Sequence, residues 1–184
     1  MSRPAMGLQK LKGPRMIGYV SLPGRGATDD CLAAAVAALA RRKVALAGTV
    51  QTNPERADRD KCDMDLRVLP DGPVLRISQD LGRHARGCRL DGGVLEQAVA
   101  EVAARIDGAA LLVVNKFGKQ EAEGRGFVPL IAEAVLRGMP VLVGVNAMNL
   151  PAFLAFAEGL ATALPADPSA IADWTLRRPV SDAA

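Results

Sequence analysis

Ala109 to Val114 is an unbroken apolar run of strand length. A strand with one wet face alternates polar and apolar residues. A run without alternation fits a strand covered on both faces, as in the middle of a parallel sheet. Met16 to Val20, Val44 to Val50 and Pro140 to Val145 are further runs of this kind. Between the first two lie a Gly/Pro-rich turn, Ser21 to Gly26, and an Ala-rich stretch, Cys31 to Arg42. Thr28, Asp29 and Asp30 offer N-caps for a helix there. Strand, turn, helix and strand make a βαβ unit, whose crossover requires parallel strands. The expected fold is therefore α/β: a three-layer sandwich with a mainly parallel sheet.

The middle of the chain departs from that pattern. Met64 to Leu69 and Val74 to Ile77 flank Pro70-Asp71-Gly72-Pro73, a strong turn, and predict a β-hairpin excursion or antiparallel sheet edge. Gln79 to Arg89 is polar and glycine-containing, an ordered loop. Apolar residues at helical spacing predict a helix over Asp91 to Ile106. Asn115 to Gly126 is charged and glycine-rich, a long loop. Phe127 to Arg137 is a helix closed by Gly138, and Pro151 to Leu164 and Pro168 to Trp174 are short helices. Residues 1–15 are expected to be a disordered extension, and residues 16–184 a single domain.

Composition excludes several functions. Aromatic residues are only 3% of the chain, which argues against stacking of single-stranded nucleic acid. The net charge of +3 is scattered, so no nucleic-acid partner is expected. The longest apolar stretch, Cys31 to Ala40, is too short to span a membrane. The three cysteines, Cys31, Cys62 and Cys88, form no C-x-x-C pair, which fits a reducing cytoplasm. Cys62, His84 and Cys88 lack metal-site spacing, so no metal is predicted and ordinary buried thiols are expected.

Ligands of open parallel sheets collect beyond the carboxyl ends of the strands. Three loops are expected there: Ser21 to Asp30, Gln51 to Lys61 and Asn115 to Gly126. The first fits the phosphate-loop pattern G-x-x-x-x-G-K-[ST] in part. Gly26 and Thr28 match, Ser21 stands for the first glycine, and Ala27 replaces the lysine. Its amides can still face an anion at a helix start, with Gly24 in the turn and Arg25 as a nearby cation. The bland alternative is an ordinary glycine-rich turn before a helix. In the third loop Asn115 and Lys116 stand where phosphate-loop enzymes carry acids for magnesium and water. Glu121 and Glu123 are the nearest acids; their bland reading is a solvated cluster. Arg86 and Arg89, beside His84, are further candidates for gripping an oxyanion.

Val50-Gln51-Thr52-Asn53, Cys62-Asp63-Met64, Ile77 to Gly82, Gly87 to Asp91 and Val114 to Gly126 resemble a bacterial family, domain of unknown function 2478. The resemblance runs from about Met16 to Trp174. It implies the layout of small P-loop nucleoside-triphosphatases. There a strand ends in an Asp-Glu-Ile-Gly-x-x-Glu-like segment, whose places Asn115, Lys116, Gly118 and Glu121 take. It also implies an association with molybdenum transport, in keeping with an oxyanion ligand.

The expected function is binding of a nucleotide or small oxyanion without efficient hydrolysis. Ser21, Gly24, Arg25, Gly26, Thr28, Gln51, Arg86, Arg89, Asn115, Lys119 and Arg125 would form the ligand site. The alternative is a nucleoside-triphosphatase with displaced groups. In it Glu121 or Glu123 serves magnesium and water, and Lys116 or Lys119 replaces the missing lysine. A third reading is a regulatory partner protein in molybdenum metabolism. A homo-oligomer or a protein partner is compatible with each.

Overall fold

The computed structural model describes residues 16–55, 63–79 and 90–177. The predicted N-terminal extension, Cys62, His84, Arg86, Cys88 and Arg89 lie outside them. The strands are β1 (Ile17–Val20), β2 (Leu46–Thr52), β3 (Asp65–Leu69), β4 (Val74–Arg76), β5 (Leu111–Phe117), β6 (Val141–Val145) and β7 (Ala161–Ala163). The helices are α1 (Ala27–Arg41), α2 (Gly92–Ala103), α3 (Lys119–Ala122), α4 (Val128–Leu136), α5 (Leu150–Ala157) and α6 (Pro168–Leu176).

One seven-stranded sheet runs in the order β4-β3-β2-β5-β6-β1-β7. From β2 to β7 every neighbouring pair is parallel. The hairpin forms the antiparallel edge: β3 pairs with β2, and β4 with β3. The three-layer α/β architecture and the hairpin are thus as the apolar runs imply. One face is packed by α1 and α6 through Leu32, Val36, Leu39 and Ile171. The other is packed by α2, α4 and α5 through Leu95, Val102, Ile131 and Phe153. Tyr19 and the four phenylalanines gather on this second face, whereas Trp174 packs on the first. Phe153 sits edge-on to Tyr19 and Phe117 at 5.2 and 5.3 Å, fixing α5 near the ends of β1 and β5.

Four boundaries differ from the expectation. Helix α1 begins at Ala27, not Cys31, so Thr28, Asp29 and Asp30 are first-turn residues instead of caps. Strand β5 continues through Phe117, and the segment after it contains α3, so Asn115 to Gly126 is not one loop. Ala161–Ala163 forms the edge strand β7 beside β1, where a helix is predicted. Its short, small-residue sequence carries no period-2 signal. Helix α2 ends at Ala103, short of Ile106, and is capped at its start by Asp91, whose carboxylate accepts from the Gly93 and Val94 amides.

Candidate functional site

The carboxyl ends of β1, β2 and β5 open on a cavity of about 890 Å³. Arg25, Gly26, Asp29 and Asp30 reach it from the start of α1; Gln51, Asn53 and Glu55 from the end of β2. Asn115, Lys116, Gly118, Lys119 and Glu121 reach it from β5 and α3. The described parts of the three predicted loops therefore line one cavity.

At the first loop, Gly24 and Gly26 adopt positive φ, 95° and 78°, which curls the chain into α1. Gly26 is the N-cap and has no side chain to offer, so the first-turn amides lack the usual cap. Thr28 does not cap either. Its Oγ1 accepts from the Leu22 N–H at 3.1 Å and ties the loop to itself.

Behind this loop lies a polar network that the sequence does not announce. Asn115 Nδ2 donates to Asp29 Oδ1 at 2.8 Å, and Asn53 Nδ2 donates to Asp29 Oδ2 at 2.8 Å. Gln51 Nε2 donates to Asn53 Oδ1 at 2.7 Å and to Asp29 Oδ2 at 3.5 Å. The Gln51 N–H donates to Asn115 Oδ1 at 2.8 Å. Asp29, Gln51 and Asn115 are all buried. The carboxylate locks α1 to the ends of β2 and β5, and among the described residues its partners are carboxamide dipoles instead of a cation.

Glu121 plays a similar part at α3. Its Oε2 accepts from the Gly118 N–H at 2.9 Å and its Oε1 from the Phe127 N–H at 3.1 Å, joining the two ends of the turn. Burial pushes its pKa above the ordinary 4.5, against the pull of the Phe127 and Gly118 amides, and nearby Glu96 adds to the rise. The native state therefore holds this proton at pH values where the unfolded chain has released it. Unfolding free energy contributed by Glu121 is full at low pH and falls as pH rises from about 4.5 through the raised native value. Urea unfolding of wild type and Glu121→Gln across that range checks this. The stability difference, wild type minus variant, should fall with rising pH and then level; a difference that rises with pH contradicts it.

The remaining predicted residues divide. Arg25, Lys116 and Lys119 are exposed and line the cavity mouth. Arg25 and Lys116 form no ion pair among the described residues, and Lys119 has only a 3.9 Å pairing with Glu123. Glu123 and Arg125 pair with each other at the surface and do not line the cavity. Ser21 is half-buried and Gly24 exposed, both in the turn away from the lining. Asp30 and Glu55 are exposed acids at the rim, so the positive side of the mouth is the one built by Arg25, Lys116 and Lys119.

Sequence reasoning missed Asp29, Asn53 and Thr49. Asp29 has the sequence signature of a helix cap, which hides its inward role. Asn53 belongs to the Val50 to Asn53 segment that marks the family resemblance. Thr49 lines the cavity and is fully buried, and its Oγ1 has no hydrogen-bond partner among the described residues. Among the described residues, no group of three or more His, Cys, Asp or Glu side chains is placed to hold a metal ion. Cys31 is free and its thiol is pushed up in pKa by burial and then by Asp167, which keeps it in the unreactive thiol form. No helix among the described residues is long and apolar enough to cross a membrane.

Known proteins place this geometry in context. The structure is similar to that of THEP1 from the hyperthermophile Aquifex aeolicus, with a TM-score of 0.50 over 83% of this chain and 90% of that one. At 15% identity the likeness concerns the fold alone, the three-layer α/β arrangement on a mainly parallel sheet. Over 147 residues, 79% of this chain, the sequence is 34% identical to the molybdenum import ATP-binding protein ModC 2 of Bradyrhizobium diazoefficiens. The match spans only 16% of that protein's length. The model of the family described as "Protein of unknown function (DUF2478)" matches residues 17–174, and the chain belongs to that family.

Proposed function

We propose that the chain binds a small oxyanion, or the phosphate end of a nucleotide, at the uncapped start of α1, without efficient hydrolysis. One observation carries the reading: Arg25, Lys116 and Lys119, from separate segments, line one cavity with Gly26 at the helix start. Aligned first-turn amides and a positive helix end favour a negative ligand there. Arg25 supplies opposite charge from the turn before α1, and Lys116 and Lys119 supply it from β5 and α3.

Turnover is disfavoured by what occupies the catalytic places. Ala27 has no ammonium to follow charge onto a leaving phosphate. Asn115 is neutral and its carboxamide is engaged by Asp29 and the Gln51 amide. Glu121 has each oxygen held by a backbone N–H, and Glu123 faces Arg125 outside the cavity. A triphosphatase with displaced groups would have to break one of these arrangements first. Magnesium would enter with a nucleotide, carried by its phosphates. The name of the ModC 2 relative brings molybdate into the candidate set, and with it a role in molybdenum metabolism.

Thermal unfolding against phosphate, sulfate, molybdate, tungstate, ATP and ADP, with and without magnesium, tests the reading. A binding anion at about a hundred times its Kd adds about 2.7 kcal/mol of stability and raises Tm by several degrees. Lys116→Ala with Lys119→Ala should weaken that anion about tenfold, equivalent to about 1.4 kcal/mol. No shift with any anion, or undiminished affinity in the double variant, contradicts the proposal.

A further inference from the structure

The cavity is much larger and more apolar than a tetrahedral anion requires. Its volume of about 890 Å³ lies near the top of the range, about 300–1,000 Å³, that encloses drug-sized ligands. Beyond the charged mouth its wall is made by Met64 and Leu66 of the hairpin, Ile77, Leu90, Leu95 of α2 and Phe127. Leu66, Ile77, Leu95 and Phe127 are edges of the packed core, Met64 and Leu90 are only half-buried, and an anion bound at the mouth does not cover them.

The Thr49 hydroxyl adds an independent indication. Thr49 lines the same cavity from β2, its side chain is fully buried, and its Oγ1 is the one buried side-chain polar atom without a partner among the described residues. Buried polar groups are nearly always satisfied, and exceptions call for an explanation. A ligand atom meeting the hydroxyl from the cavity provides one.

We infer that the site takes an organic anion: a ring-sized apolar body against the hairpin–α2 wall, a polar atom paired with Thr49, and a charged end at the α1 mouth. The inference rests on the anion-binding reading and extends it from the charge of the ligand to its body. The body is held by burial of apolar surface, which scales with area and not direction. Thr49 sets orientation, because a hydroxyl can donate to an acceptor or accept from a donor. The anionic end is fixed by the α1 amides and the lysines.

Titration calorimetry of the full chain with inorganic phosphate, phenyl phosphate and phenyl phosphates hydroxylated at each ring position separates these parts. Phenyl phosphate should bind about tenfold more tightly than inorganic phosphate, from burial of the ring. Met64→Ala should shrink that gain about threefold and leave inorganic phosphate unchanged. At least one hydroxylated ring should bind more tightly still, and Thr49→Val should erase that increment while raising the Tm of the free protein. Equal affinities for phosphate and phenyl phosphate overturn the inference and leave anion binding intact. No binding of any probe overturns both. A lowered Tm in Thr49→Val, or a hydroxyl increment that survives it, removes Thr49 from the site.

Discussion

Asp29→Ala should lower the free energy of unfolding by about 3 kcal/mol, read from urea titration. The carboxylate accepts from Asn115 and Asn53 at 2.8 Å each, and hydrogen bonds to a charged group are worth about 1.5–3 kcal/mol apiece. Removing it leaves two carboxamide donors in a region where Asp29, Gln51 and Asn115 are buried. Part of the loss is returned because the buried charge no longer has to be desolvated, which keeps the figure below the full sum. Asp29→Asn should be less severe, since one amide oxygen can still accept, although its NH2 then faces another donor. Anion affinity should fall in both variants, because the network sets the distance between the start of α1 and Lys116. A loss below about 1 kcal/mol in Asp29→Ala would mean that the network is a surface decoration and not a brace.

Gly48→Ala should be more damaging, costing more than about 4 kcal/mol and leaving little cooperatively folded protein. Gly48 has φ of +119° in β2, opposite Val113 of β5. A Cβ there would lie 2.6 Å from the Val113 N and 2.7 Å from its C, and would also meet its O. These are backbone atoms of a central strand and cannot rotate aside. Gly108→Ala provides the comparison. Its φ is +79°, but a Cβ there meets nothing within 4 Å, so only the left-handed penalty of about 1–2 kcal/mol applies. Soluble yield and cooperative thermal unfolding of the two variants separate steric exclusion from backbone preference. Equal behaviour would show that β2 and β5 can part without cost.

The parallel sheet was legible because its strands are buried on both faces, which leaves apolar runs that no surface element would carry. The hairpin was legible because Pro70-Asp71-Gly72-Pro73 has turn chemistry of its own. Strand β7 was not. Ala161–Ala163 is too short and too small to show a period, and its pairing with β1 is decided by the end of α5. The convergence of the loops followed from the rule for open sheets. Individual roles did not, because hydrogen-bond partners far apart in sequence leave no local pattern. Asp29 and Asn115 are 86 residues apart and meet only when β2, β5 and α1 are assembled. Glu121 looked like a free acid for a different reason: its partners, Gly118 and Phe127, are near in sequence but are backbone amides brought round by the turn, which residue types do not reveal.

The proposed function requires an anion on the start of α1. The most direct measurement is a titration of the backbone amides by two-dimensional NMR with phosphate, molybdate and ATP in turn. Saturable shifts centred on Gly26, Ala27, Thr28 and Asp29, accompanied by Lys116 and lost in the Lys116→Ala, Lys119→Ala variant, are predicted for at least one of them. Shifts confined to other surfaces, or amides of α1 that do not move with any of the three, would contradict it.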